Sequence, residues 1–165
     1  MSYTFDDLRL RARRGWVYQA RAAYWLGLQG FDVHLGKFEM RREDESPDRF
    51  RGEEDLRVGF DGVRYEAVEV KSKAATFGAE PESFPFDEVF LYSTRKGRRD
   101  LPVLLFSSMG QSGPPVGFCD DGQERVVRMA TDARRGIEYP VWAAPKSLLV
   151  GLAGWCELMR AKLVG

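Results

Sequence analysis

The chain has one histidine and two cysteines in 165 residues, only six lysines among its 25 basic residues, and no net charge. Each scarcity removes a class of protein. With His34 alone, zinc sites built from several imidazoles and Ser–His–Asp or Cys–His triads lose their support. His34 sits in an apolar extended run and reads as a core residue rather than a ligand. Cys119 and Cys156 stand far apart without CxxC spacing, so neither a disulfide framework nor a structural zinc is expected, and a reducing compartment fits best. No stretch approaches the roughly 18 uninterrupted apolar residues of a membrane span. The amino terminus, MSYTFDDLRLRARRGW, is charged almost from its start, unlike a secretory signal. A soluble, cytoplasmic protein is the expectation. There is no Walker loop and no GxGxxG, so nucleotide-driven chemistry is unsupported.

The material for a core is present: 44% of the residues are hydrophobic, and the length suits one domain over residues 1–165. Charge is segregated although it sums to zero. Arg9, Arg11, Arg13, Arg14 and Arg21 follow one another with no acid between, acids predominate from Glu39 to Asp55, and Arg95, Lys96, Arg98 and Arg99 form a second basic cluster. The planar guanidinium fork suits phosphate contacts, and an arginine bias reflects genome composition equally well.

Periodicity predicts a first helix from a Thr4–Asp7 capping box to Leu28, with Gly30 as its left-handed stop. Phe5, Leu8, Ala12, Trp16, Ala20 and Ala23/Tyr24 recur at helical spacing as its buried stripe, and Trp16, Tyr18 and Tyr24 read as core. An extended segment follows at 31–35, then a polar connector at 36–54. The strongest local signal is DLRVGF, Asp61-Gly62 and VRYEAVEVK, two β-rich runs about a two-residue turn. Further strands are expected at Glu88–Tyr92 and Val103–Ser107, joined by a basic hairpin tip at 94–100, with shorter ones at Val126–Met129 and Val141–Ala143. Gly110–Pro115 reads as a turn region. An amphipathic helix over Lys146–Leu163, with Leu148, Leu149, Leu152, Trp155 and Leu158/Met159 as its stripe, closes the pattern. These elements imply an α/β fold with a mixed central sheet flanked by helices.

Strand alternation in Val68-Glu69-Val70-Lys71 puts Glu69 and Lys71 on one face and the two valines, expected to be buried, on the other. A carboxylate and an ammonium side by side near a core demand a reason, because unpaired buried charge is costly. A hard divalent cation supplies one: Mg²⁺ takes one or two carboxylates and completes its shell with phosphate and water. Asp55, on the preceding strand, is the second carboxylate. The register decides whether it can be. A strict two-residue turn pairs Val58 with Tyr65 and Leu56 with Ala67, which sets Glu54, not Asp55, opposite Glu69; a bulge before Leu56 would restore Asp55. Glu54 and Asp55 are therefore rivals for the position.

Asp55, thirteen intervening residues and Glu69-Val70-Lys71, with Gly15-Trp16-Val17-Tyr18-Gln19, Ala22, Leu26 and Gly30-Phe31-Asp32-Val33 upstream, resemble the PD-(D/E)xK or restriction-endonuclease-like nucleases. The pattern is most similar to archaeal Holliday-junction resolvases and related phage and restriction enzymes, and it covers residues 15–71. It departs from the family in three places: no proline precedes Asp55, Gln19 stands where an acid is frequent, and no QxxxY follows Lys71. The resemblance implies a restriction-endonuclease-like core and direct hydrolysis of phosphodiesters in DNA. It assigns Mg²⁺, with Mn²⁺ as substitute, to Asp55, Glu69 and the Val70 carbonyl. Lys71 would orient water or neutralise phosphate charge, and Gln19 would position a water. Arg13, Arg14, Lys73, Arg95, Lys96, Arg98 and Arg99 are the candidate contacts to the DNA backbone, and pairing of two copies would cut both strands. Plainer readings stand beside these: a salt-bridged surface hairpin for the triplet, a solvated strand end for Lys73, a solvated hairpin tip for 94–100. A non-catalytic relative that binds DNA or a protein partner is the alternative function.

Overall fold

A strand that pairs on both edges organises the molecule. The computed structural model describes residues 5–35, 55–62, 64–110, 113–133 and 136–165, with side chains from residue 15 onward. Helix α1 (Phe5–Leu28) leads through Gly30, at φ +87°, into β1 (Asp32–Leu35). Then come β2 (Leu56–Gly59), β3 (Tyr65–Lys73), β4 (Glu88–Ser93), β5 (Val103–Ser107), β6 (Val116–Phe118), β7 (Val126–Asp132), β8 (Ile137–Pro145), β9 (Val150–Gly151) and helix α2 (Leu152–Val164). The fold is α/β, and its main sheet is mixed. Six strands run in the order β1-β2-β3-β5-β6-β9, with β3 and β5 parallel and every other neighbour antiparallel. A second, antiparallel sheet of β4, β8 and β7 was not foreseen.

Alternation along β3 and β5 serves two cores at once. Val68, Val70, Leu104 and Phe106 face the helices, meeting Ala22 and Leu26 of α1 and Trp155, Cys156 and Met159 of α2. Val103 and Leu105 face the second sheet, meeting Val89, Leu91 and Ala144, with Val116 and Phe118 from the adjoining strand. Gly117 permits the close approach of α2: a Cβ there would lie 2.3 Å from the Val103 carbonyl and 2.9 Å from the Trp155 ring, whose Nε1 donates to the Phe118 carbonyl at 3.0 Å.

Several expectations are corrected. Helix α1 buries the face of Ala22 and Leu26, with Tyr18 and Trp25 packed against the core, and leaves Trp16 and Tyr24 exposed. Small Ala22 lets the helix lie against the sheet, and that face also directs Gln19 inward, whereas the stripe through Trp16 and Tyr24 points nearly opposite. His34 is exposed on the sheet-edge strand β1, edge-on to Tyr65 at 5.0 Å between ring centroids. Residues 94–100 are no hairpin tip, because β4 and β5 belong to different sheets. Strand β8 is longer than Val141–Ala143 and carries two prolines; Pro140 lies past the last β4 pair, Ser93 with Val141, where one side of the strand has no ladder. The last helix begins at Leu152 because Val150 and Gly151 pair with β6. Thr4, with its capping box, the connector 36–54 and Glu54 lie outside the described residues.

Arg125 ties the second sheet to the first. Its fully buried guanidinium donates to Asp120 at 2.8 and 3.0 Å, to the Tyr92 hydroxyl at 3.1 Å, and to the carbonyls of Arg99 and Leu101 at 2.9 and 2.7 Å. Arg125→Met should lower stability by about 3–5 kcal/mol, because it strands a carboxylate and two carbonyls that the charge now satisfies. Denaturant unfolding measures this, and a loss under about 1 kcal/mol would show that water replaces the guanidinium without penalty.

Candidate active site

The five residues 60–64 join β2 to β3, with Gly62 at φ +79°. A two-residue turn would pair Val58 with Tyr65; the structure pairs Val58 with Glu66 and Leu56 with Val68. The register is shifted by one residue, and every side chain of β2 changes partner. Continued to Asp55, it sets that residue opposite Glu69. The longer connection does what a bulge before Leu56 was expected to do.

Asp55 stands immediately before β2. Its Oδ2 accepts the Val70 amide at 2.8 Å, and its Oδ1 accepts Gln19 Nε2 of α1 at 3.0 Å. The carboxylate is thereby fixed at both oxygens, one by the sheet and one by the helix. Gln19 reaches it because it shares the inward face of α1 with Ala22 and Leu26.

Glu69 follows the expected alternation, on the same face as Lys71 and opposite the two buried valines, but it is far more enclosed than a surface strand allows, at 2% exposure. Its register partner on β5 is Val103, so the side chain enters the layer between the sheets. Two ammonium groups meet it there. Lys71 Nζ lies 3.4 Å from Oε2 and Lys96 Nζ lies 3.2 Å from Oε1, with side chains 33% and 22% exposed. Oε2 is buried and has no hydrogen-bond partner. Lys96 was placed among the DNA contacts by sequence; the structure puts it in the site. It comes from a single 3₁₀ turn, Thr94–Lys96, begun by the Ser93 hydroxyl and ended by Gly97 at φ +77°. The residues around it give the only hint in the sequence, a basic cluster directly after a strand.

The other candidates whose side chains are described have partners of their own or face solvent. Lys73 donates its ammonium to the Phe90 carbonyl, and burial, then the neighbouring charge of Lys71, brings its pKa down to about 8. Arg98 is held by Glu66 at 2.6 Å and Asp100 at 3.2 Å, and Arg99 by the Gln123 carbonyl at 2.6 Å. Arg95 is exposed. The side chains of Arg13 and Arg14 are outside the described residues. Burial pushes the thiols of Cys119 and Cys156 up to about 11, so neither is a thiolate nucleophile near neutral pH.

Among the described residues no group of three or more His, Cys, Asp or Glu side chains is arranged to hold a metal ion. Two carboxylates with one bare buried oxygen nevertheless fit a hard cation that takes the rest of its shell from water and phosphate. They do not fit zinc, which wants nitrogen and sulfur and three or four protein ligands. The chain matches no protein-family model, no curated protein and no solved structure.

The electrostatics of Asp55 are those of an enclosed acid. Burial, then the charge of Glu69, raise its pKa from 3.8 to about 6 against the pull of Lys71, the Val70 amide and Lys96. Between those two values the folded protein binds more protons at Asp55 than the unfolded chain does, so rising pH lowers stability across that window. Without divalent ions, Asp55→Asn should therefore gain in Tm over the wild type as pH rises from about 4 to about 6, and keep that gain above it. A difference independent of pH would mean that Asp55 ionises as readily folded as unfolded.

Proposed function

We propose that this chain is a Mg²⁺-dependent endodeoxyribonuclease with a restriction-endonuclease-like core, hydrolysing phosphodiester bonds in DNA repair, recombination, restriction or phage DNA processing. The observation that carries the reading is the juxtaposition of Asp55, Glu69 and Lys71. Asp55 stands immediately before β2 and Glu69 and Lys71 on β3, and the register that joins them is not the one the simplest turn would give. A charged surface hairpin has no need to enclose its glutamate.

Asp55, Glu69 and the Val70 carbonyl would hold the cation, which when bound supplies Lewis-acid stabilisation of the phosphate and a water of lowered pKa. The chain's own residues do the rest. The Val70 amide and Gln19 fix the plane of the Asp55 carboxylate, so its free lone pairs have one direction. Lys71, a third exposed, holds its ammonium 3.4 Å from the buried Oε2 of Glu69, where it could neutralise charge on a phosphate oxygen as it builds. Gln19 replaces an acid at the helix position; as a neutral donor it satisfies Asp55 without adding negative charge beside Glu69.

One observation favours the alternative, a non-catalytic module that binds DNA or a protein. Among the described residues two lysines stand against the two carboxylates, so these four groups leave no excess negative charge to demand a cation. Incubation with plasmid and branched DNA in Mg²⁺, Mn²⁺ or EDTA separates the two readings. Glu69→Ala should abolish Mn²⁺ binding in calorimetry. Lys71→Ala should stay folded, keep metal and DNA binding, and lose cleavage by about a hundredfold or more, the effect of removing a transition-state donor. Cleavage by Lys71→Ala at the wild-type rate would remove the catalytic role; no cleavage by the wild type with any of these metals would leave the binding module.

A further inference from the structure

Arg98 and Lys96, two residues apart on the connection 94–100, each meet an acid of β3. Arg98 meets Glu66 at 2.6 Å, a charge-assisted hydrogen bond at the short end of the range, and Asp100 at 3.2 Å. Lys96, two residues earlier, meets Glu69 at 3.2 Å, beyond the roughly 2.7–2.9 Å of such bonds. Lys71 is looser still at 3.4 Å, and the oxygen it faces has no hydrogen bond. A buried carboxylate can accept about four hydrogen bonds. Here it is neutralised by two ammonium groups at a distance instead of being gripped.

Lys96 also differs from Lys71 in its support. Lys71 stands on a strand paired to β5, so its backbone is fixed beside Glu69. Lys96 ends a one-turn 3₁₀ segment on the connection between the two sheets, and a lysine's four-carbon stem lets its ammonium swing without backbone movement. A dication on Glu69 would repel that ammonium and remove its partner oxygen, while a phosphate brought to the site would offer a new one.

Resting on the metal site of the preceding reading, we propose that Lys96 is a displaceable counter-ion: it holds Glu69 while no divalent cation is bound, and passes to a non-bridging oxygen of the substrate phosphate when a cation takes the carboxylate. Cation and phosphate binding are then coupled through one side chain. The ammonium opposes the cation alone and favours cation and phosphate together, and such coupling is reciprocal.

Calorimetry with Mn²⁺ near neutral pH, on the wild type, Lys96→Met and Lys96→Arg, tests the first half. Lys96→Met should bind Mn²⁺ about tenfold tighter, within the range of coupling between sites, and Lys96→Arg no tighter than the wild type. Fluorescence anisotropy of a short DNA duplex in Ca²⁺ tests the second half. There Lys96→Met should bind the duplex more weakly, with a salt slope smaller by about one. Lys96→Gln and a thermal melt of each variant guard against misfolding, and a merely structural lysine would not tighten Mn²⁺ on removal. Equal Mn²⁺ affinities in folded variants, or an unchanged duplex affinity and slope, would overturn the proposal and leave the metal site standing. Failure of wild type and variants alike to bind Mn²⁺ would overturn the metal site and this proposal together.

Discussion

A carboxylate buried between two sheets must be neutralised, and the arrangement around β3 follows from that need. Glu69 is 2% exposed, and isolated charge in a low-dielectric layer carries a penalty of several kcal/mol unless an opposite charge compensates it. Lys71 comes from the same strand, two residues on, at no topological cost. Lys96 arrives because β4 leaves the second sheet beside β3 and its connection to β5 turns tightly at Gly97. The same burial acts on Asp55, whose carboxyl group shares the enclosed space and holds its proton to about pH 6.

The sequence disclosed this site through alternation and local composition, and failed where the outcome depended on partners distant in the chain. Val68 and Val70 against Glu69 and Lys71 is a period-two pattern, and the structure keeps it on both faces. Strand β5 has the bounds expected of an uninterrupted apolar run. The hairpin register was not legible, because Asp61-Gly62 is the preferred pair for a two-residue turn and nothing nearby signals that 60–64 form a longer one. The second sheet was hidden for another reason: strands were expected within β4, β7 and β8, but Pro140 and Pro145 cut β8 short to Val141–Ala143, and nothing local tells which of the three pair. Strand β6, three residues with a glycine at its centre, carries no periodicity, and its place is set by Trp155 closing over Gly117. Exposure of Trp16 and Tyr24 shows the same limit, since two apolar stripes compete on α1 and the sheet buries the one through Tyr18, Ala22, Trp25 and Leu26.

Arginine and lysine divide the electrostatic work of the molecule between them. Arg125 satisfies a carboxylate, a hydroxyl and two carbonyls from one guanidinium, and Arg98 bridges two acids; these join β3, β4, the connection before β5 and the segment before β7 into a fixed frame. The planar fork loses little freedom per bond made, which suits a permanent joint. The lysines of the site are single-pointed, and Lys71 and Lys96 meet Glu69 at 3.4 and 3.2 Å. An ammonium on a flexible stem is poorly suited to locking a structure and well suited to a charge that changes partner. That division gives physical content to the small lysine count: three of the six stand within four positions of Glu69 or in contact with it.

Charge balance then sets what the site can accept. With both carboxylates ionised and Lys71 and Lys96 protonated, the four groups sum to zero, and a dication alone would leave two uncompensated positive charges in a poorly solvated space. A phosphodiester carries one negative charge and a hydroxide nucleophile another, so cation, phosphate and nucleophile together restore neutrality where the cation by itself does not. On the proposed reading this makes occupancy by the metal depend on the polyanion, and the dependence grows with burial because the interaction is less screened there than at the surface. Gln19 belongs to the same account. A glutamate at its position would add a third carboxylate, raise affinity for the bare cation and weaken its dependence on phosphate. The neutral amide keeps the Asp55 carboxylate in place through a hydrogen bond and leaves that balance intact.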